Sequence, residues 1–181
     1  MPDHTPTPDT GGDYNPRDYP AVAVTVDIVM FTIVDAELKV LLIQRGTPPF
    51  LGQWALPGGF IHPDEDLADA ARRELAEETG IHQDPGHLEQ FGSYGDPDRD
   101  PRMRVVTVGF WAIVSDLPTP AGGSDARNAE LVAVSEVESG RIRLAFDHAT
   151  ILADALETAR SKLESTTLAA AFCGPEFTVS D

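Results

Sequence analysis

The sequence predicts an α+β (or α/β) sandwich with mixed strand directions. A long β-branched run is followed at once by a second apolar run across a short turn. A helix free of proline and glycine lies at 66–79, and a further helical stretch closes the chain after more strands. Strands alternating with two helices leave each helix a sheet face to cover, which is the condition for a layered sandwich.

Residues 1–20 hold five prolines, two glycines and no apolar run, so they read as a flexible tail. Ala21-Val-Ala-Val-Thr-Val-Asp-Ile-Val-Met-Phe-Thr-Ile-Val reads as one long strand, because β-branched side chains fit a pleated surface. Asp35-Ala-Glu is the turn and Leu38-Lys-Val-Leu-Leu-Ile-Gln-Arg the returning strand. Residues 47–53, with two prolines and a glycine, form a loop, and Trp54-Ala-Leu-Pro-Gly-Gly-Phe is a short extended segment. Pro63 and Asp64 give start signals for the helix at 66–79 and Gly80 a stop. A long loop to about residue 100 is expected from Pro85, Gly92, Gly95 and Pro97. Strands are expected at 104–114 and 130–134, with a loop at 118–128 between them. The closing helical stretch spans 147–172 with a break near Thr166. No repeat and no second domain of workable size is present. The expected division is a tail at 1–20, one domain at 21–145 and a C-terminal helical extension at 146–181.

With 181 residues, 41% of them apolar, such a chain buries roughly two thirds of its unfolded surface, so one core suffices without staples. Collagen, a coiled coil and a fully disordered chain are excluded. The lone Cys173 allows no internal disulfide and points to a reducing compartment. No stretch reaches the roughly 18 apolar residues of a membrane span, and the first residues lack a basic or apolar signal region. The expectation is a cytoplasmic protein with no membrane partner. Thirty acidic against thirteen basic residues give a net charge of -17. That surface repels polyphosphate, so no nucleic-acid partner is expected through a basic footprint. It attracts cations, and a phosphorylated substrate would approach with Mg²⁺ or Mn²⁺. Taken alone, the charge equally suits a surface that only keeps the chain soluble.

On the helix at 66–79, Glu74, Glu77 and Glu78 stand at i, i+3 and i+4 and share one face. Leu67, Ala70, Ala71 and Leu75 form an adjoining apolar stripe that packs on a sheet. Carboxylates about 5–6 Å apart repel by about 3 kcal/mol per pair at an effective dielectric near 20. A divalent hard cation with oxygen ligands relieves that repulsion. Upstream, Gly58-Gly59 lets the backbone approach a ligand closely, and a free carbonyl there would complete a metal shell. Glu65, before the helix, is placed to pair with Arg73 and hold the loop against it. The helix alone suits equally an acidic solvated face, with Arg73 pairing to Asp69 and Glu77.

The spacing decides between them. Gly59, five residues, Glu65, seven residues, then Arg73-Glu74-Leu75-Ala76-Glu77-Glu78-Thr79-Gly80-Ile81 resembles the Nudix box at every defined position. A chance match is on the order of one in a billion per starting position at ordinary residue frequencies. The resemblance implies a hydrolase of nucleoside diphosphates linked to another moiety. The implied fold is an α/β/α sandwich with a mixed sheet and a catalytic loop-helix-loop. It further implies that Glu74, Glu77 and Glu78, with the Gly58 carbonyl, hold Mg²⁺ (or Mn²⁺), which lowers the pKa of a bound water as it attacks in line. Arg73 and Glu65 join the catalytic set, and Gly59 lies beside substrate. The proton acceptor varies in the family; Glu74, Asp125 and Glu130 are the candidates, Glu130 standing where such enzymes often begin a strand.

The substrate is read from the loops. Pro97, sixteen residues past Ile81, resembles the downstream proline of ADP-ribose pyrophosphatases in this family. Phe91-Gly-Ser-Tyr-Gly-Asp-Pro-Asp-Arg-Asp-Pro-Arg resembles a loop shared by those enzymes and by Nudix-related regulators of NAD metabolism. Arg45, Arg99 and Arg102 are phosphate or ribose candidates, although Arg99 and Arg102 can equally pair with Asp96, Asp98 or Asp100. Phe50, Trp54 and Tyr94 are aromatics near loops and candidates for stacking on a base, Phe50 foremost, while loop packing is their simpler role. His62 in the box loop is expected to face solvent. The reading is Mg²⁺-dependent cleavage of ADP-ribose or a related nucleotide sugar by a homodimer. The alternatives are a nucleotide-sensing module, since Leu144-Ala-Phe-Asp-His resembles the join to a winged helix, and a sanitiser of oxidised nucleoside triphosphates. Residues 145–181 carry six acids against Arg160 and Lys162, which disfavours DNA binding; the complete box favours catalysis.

Overall fold

The computed structural model describes residues 15–82, 85–115, 117–123 and 126–165. After a 3-10 turn at Pro16–Asp18, the elements are β1 (Ala23–Val34), β2 (Glu37–Arg45), β3 (Trp54–Ala55), β4 (Gly58–Phe60) and α1 (Leu67–Thr79). They continue with β5 (Glu89–Tyr94), β6 (Val105–Ile113), β7 (Ala126–Ala133), α2 (Val134–Glu138) and α3 (His148–Ser165). The strands form one seven-stranded sheet in the order β3-β2-β1-β6-β5, with β4 beside β1 and β7 beside β2. β1 runs parallel to β6 and antiparallel to β2 and β4, so the sheet is mixed as expected.

β1 explains its own composition. Val26, Ile28 and Met30 face α1 with Val108, Phe110 and Ala112 of β6, against Ala70, Ala71 and Leu75. Val29 and Phe31 face the other way with Trp111 and Ile113, against Ile151, Leu152 and Ala155 of α3. The period of two thus divides one apolar run between two cores, and a strand covered on both faces shows no polar alternation. The result is the α/β/α layering. Asp35 and Ala36 turn the β1–β2 hairpin, both at positive φ (54° and 61°), as a two-residue turn of this twist requires. Gly80 ends α1 in the left-handed conformation, its N–H bonded to the Ala76 carbonyl.

Three local readings change. The loop expected up to residue 100 contains β5, paired antiparallel to β6 with a bulge between Gln90 and Gly92. Its glycines break the strand pattern, yet the pairing depends on another one: a Cβ on Gly109 would lie 2.8 Å from the Phe91 ring. The strand expected from Glu130 begins at Ala126 and stops at Ala133, and Val134 starts the short α2. α3 starts at His148 and is described to Ser165; the break expected near Thr166, and Cys173, lie outside the described residues. Among the described residues, no helix is long and apolar enough to cross a membrane.

Candidate active site

The glycine strand β4 lies between β1 and α1. Gly58 and Gly59 pair with Asp27 and Val26, while Glu74 and Glu78, one turn apart on α1, are both buried. The Gly58 N–H donates to Glu78 Oε2 at 2.9 Å. Both glycines are required by close approach. A Cβ on Gly58 would run into the Val26 carbonyl, and one on Gly59 would overlap the Glu74 carboxylate.

Arg73 gathers the loop and the helix face. It donates to Glu65 through Nε (2.9 Å) and Nη2 (2.6 Å), to Glu74 at 2.8 Å and Glu77 at 3.3 Å, and to the Phe60 carbonyl at 3.1 Å. The pairing of Glu65 with Arg73 expected from the sequence is therefore present, and the His62 N–H adds a third bond to Glu65 at 2.6 Å. The Arg73 hydrogen bonds hold the Glu65 carboxyl down at about 2, far below its ordinary 4.5. One guanidinium is thus shared by Glu65, Glu74 and Glu77, and Glu78 adds a fourth carboxylate. An all-oxygen set with that excess of negative charge fits a hard divalent cation. Among the described residues no three acidic, histidine or cysteine side chains already converge as a cage; Glu74 turns to Arg73 and Glu78 to the Gly58 N–H.

Beside these carboxylates opens a cleft of about 100 Å³. Gly58, Gly59 and Glu78 line one part of it, and Arg45, Arg99 and Arg102 another, together with Phe60 and Phe146. The fold therefore brings all three candidate phosphate arginines to the wall shared with the box. Arg45 donates to the Pro49 carbonyl at 2.8 Å, and its guanidinium lies 4.9 Å from the centre of the Phe146 ring. Arg102 pairs with Asp100 through Nε (3.0 Å) and Nη2 (2.7 Å) while lying over Phe60 and Phe146. Arg99 is buried and bound to Asp147 and Asp27, not to its sequence neighbours.

The remaining candidates fall elsewhere. Phe50 meets Phe146 edge to face at 4.7 Å, behind the cleft wall. Trp54 and Tyr94 pack on the core beneath α3, the Tyr94 hydroxyl donating to Asp154 at 2.9 Å. His62 is exposed. Glu130 is exposed on β7, bonded to Asn128, and does not line the cleft. Asp125 lies outside the described residues.

Sequence reasoning missed Asp27, Phe146 and His148, which line the cleft, and Asp147, which pairs with Arg99. Asp27 carried a signal, a carboxylate in the middle of a run buried on both faces. His148 is buried, and its Nδ1 accepts the Leu56 N–H at 2.9 Å; burial holds its pKa below the ordinary value. Phe146 and Phe50 both sit at positive φ (52° and 60°), unusual for a bulky residue and a mark of a segment constrained by its surroundings.

Comparison with known proteins places these features in context. Residues 24–155 match the model of the NUDIX domain. The chain is 35% identical over 170 residues to the ADPR responsive transcriptional repressor NtrR of Acinetobacter baylyi, covering 93% of this chain and 66% of that protein. It is 39% identical over 136 residues to the ADP-ribose pyrophosphatase of Methanocaldococcus jannaschii, covering 75% of this chain and 73% of that enzyme. The fold superposes with a TM-score of 0.73 and 37% identity on the NUDIX domain of Shewanella oneidensis NrtR complexed with ADP ribose, over 81% of this chain and 94% of that one.

Proposed function

We propose that this chain, which belongs to the NUDIX family, is a pyrophosphohydrolase that cleaves ADP-ribose, or a related nucleotide sugar, to AMP and a sugar phosphate. The observation that carries the reading is the cleft itself, where the Gly58-Gly59 strand and Glu78 share one wall with Arg45 and Arg102. A pyrophosphate needs both: oxygen ligands for its cation, and guanidinium donors for its charge. The likeness to an ADP-ribose pyrophosphatase and to a domain complexed with ADP ribose supports the choice of nucleotide sugar.

Glu74, Glu77 and Glu78, with the Gly58 carbonyl, would hold Mg²⁺ (or Mn²⁺), whose chemistry is to neutralise the pyrophosphate and lower the pKa of a bound water. Arg73 and Glu65 brace the box loop against α1, which keeps Glu78 at the cleft with Glu74 and Glu77 gathered beside it on Arg73. Gly59 gives the Glu74 carboxylate room beside the strand. Glu74 touches Gly59, which lines the cleft, and is the favoured proton acceptor, whereas Glu130 is exposed on β7. Arg45 and Arg102 orient the phosphates, and the in-line attack then draws on positioning and charge neutralisation.

A second reading has its own support, because the likeness to a transcriptional repressor spans 93% of the chain. A sensing module binds ADP-ribose without cleaving it. The test is AMP release from ADP-ribose with Mg²⁺, beside nucleoside triphosphates and dinucleotides, with the Glu77→Gln, Glu78→Gln double variant as control. Mg²⁺-dependent AMP lost in the variant is the expected result. ADP-ribose bound in calorimetry without turnover of any substrate would replace the hydrolase with the sensor.

A further inference from the structure

We propose that Asp147 and His148, at the start of α3, are the positioning residues of the cleft. His148 sets the strand that carries Gly58, and Asp147 sets Arg99, which lines the same cleft. The inference rests on reading the cleft as the reaction site.

The His148 side chain is buried, and its Nδ1 accepts the Leu56 N–H at 2.9 Å. An accepting Nδ1 leaves the ring proton on Nε2, which faces Asp27 Oδ1 at 3.5 Å. The next two residues are pinned from other elements. The Pro57 carbonyl accepts the Ile28 N–H of β1 at 2.8 Å, and the Gly58 N–H donates to Glu78 of α1 at 2.9 Å. Residues 56–58 are thus fixed from α3, β1 and α1 in turn. Only the first of these bonds comes from a side chain outside the Nudix box and outside the sheet. Without it the buried Leu56 N–H has no acceptor, and the peptide leading into Gly58 is free to turn.

Asp147 works on Arg99. Its two oxygens take Arg99 Nε at 2.9 Å and Nη2 at 2.7 Å, a forked pairing that fixes the plane of the guanidinium. Arg99 Nη2 also reaches Asp27 Oδ2 at 3.3 Å. Asp27 therefore stands between the two, one oxygen toward His148 and the other toward Arg99. A buried guanidinium held between two carboxylates is a rigid wall element, and its loop carries Arg102 three residues on. One dipeptide thus couples the metal side of the cleft to its arginine side.

The two roles separate in measurement. His148→Asn places an amide oxygen where Nδ1 accepts, whereas His148→Leu keeps bulk and removes the acceptor. Mn²⁺ binding by the full chain, followed by electron paramagnetic resonance without substrate, is read beside kcat, KM and ADP-ribose affinity by calorimetry. His148→Leu is expected to weaken Mn²⁺ binding and lower kcat by about tenfold or more, with His148→Asn recovering most of both. Asp147→Ala is expected to leave Mn²⁺ affinity unchanged and to raise KM, or the ADP-ribose Kd, by about tenfold. Variants that lose thermal stability alone, with Mn²⁺ affinity, kcat and KM within about twofold of wild type, overturn the proposal, as does an Asn variant no better than Leu. A wild-type chain that binds Mn²⁺ and ADP-ribose without turnover removes the hydrolase reading, yet the two binding measurements still judge the positioning roles. A wild-type chain that binds neither overturns both.

Discussion

Gly59 packs against the Glu74 carboxylate so closely that a Cβ would overlap it, whereas its neighbour Gly58 packs against the backbone carbonyl of Val26. The two glycines therefore fail in different ways. In Gly59→Ala the obstructing atoms are the end of a side chain, which swings away, so we expect a stability loss of about 1 kcal/mol and turnover down by about tenfold or more. In Gly58→Ala the obstruction is backbone that cannot move alone, and the expected stability loss is about 3 kcal/mol. Denaturant melts beside Mg²⁺-dependent turnover check this. Equal stability losses would sink the distinction.

The Glu65–Arg73 fork fixes a direction for stability against pH. Glu65 is held at about 2 in the folded chain against an ordinary 4.5. A depressed folded pKa gives stability that is present in full above the unfolded value and is lost as pH falls through about 4.5 towards 2. Melts of wild type and Glu65→Gln should differ most near neutrality, with wild type the more stable. The difference should close as pH drops through that window. A gap that stays constant down to pH 2.5 would count against the pairing.

Glu78→Gln tests the carboxylate rather than the shape. The amide oxygen still accepts the Gly58 N–H, so the glycine strand keeps its bond and the fold should survive. The charge is gone, however, and with it an oxygen ligand for the proposed cation. Turnover is expected to fall by about a hundredfold at saturating Mg²⁺, and Mn²⁺ affinity by about tenfold. Chelation of the wild type by EDTA should abolish AMP release, and added Mg²⁺ should restore it. Turnover unchanged in Glu78→Gln would remove this side chain from the ligand set.

What was legible in the sequence was whatever a local pattern encodes. α1 is written in a run without proline or glycine that ends at Gly80, and the contact of Glu65 with Arg73 follows from the spacing of the box. β1 shows in its β-branched residues, although the division of that run between two cores does not, since both faces are apolar. β5 was hidden because Gly92 interrupts the strand pattern, and the glycine that makes room for it, Gly109, lies on another strand. The cluster of Asp27, Arg99, Asp147 and His148 joins residues up to 121 positions apart, from β1, a loop and the start of α3. No period or motif links such positions, and only the closed sandwich brings them together. Arg99 shows the consequence: its charge was visible, but its partners were not the neighbouring aspartates.

Thr107 offers a test of the sheet beneath the cleft. It lies on β6 in register between Thr25 of β1 and Tyr94 of β5, fully buried, and its hydroxyl has no hydrogen-bond partner among the described residues. An unsatisfied buried hydroxyl costs free energy that an isosteric methyl does not. Thr107→Val is therefore expected to stabilise the fold by about 1 kcal/mol, or about 3 °C in Tm. Turnover should stay at the wild-type level, because Thr107 does not line the cleft. Trp111 Nε1 on the same strand is likewise buried with no hydrogen-bond partner among the described residues. There the polar atom cannot be removed without losing ring volume from the core around α3, so Trp111→Phe should destabilise by about 2 kcal/mol. A stability loss in Thr107→Val would show that its hydroxyl is bonded after all, and would place a polar contact in the centre of the sheet.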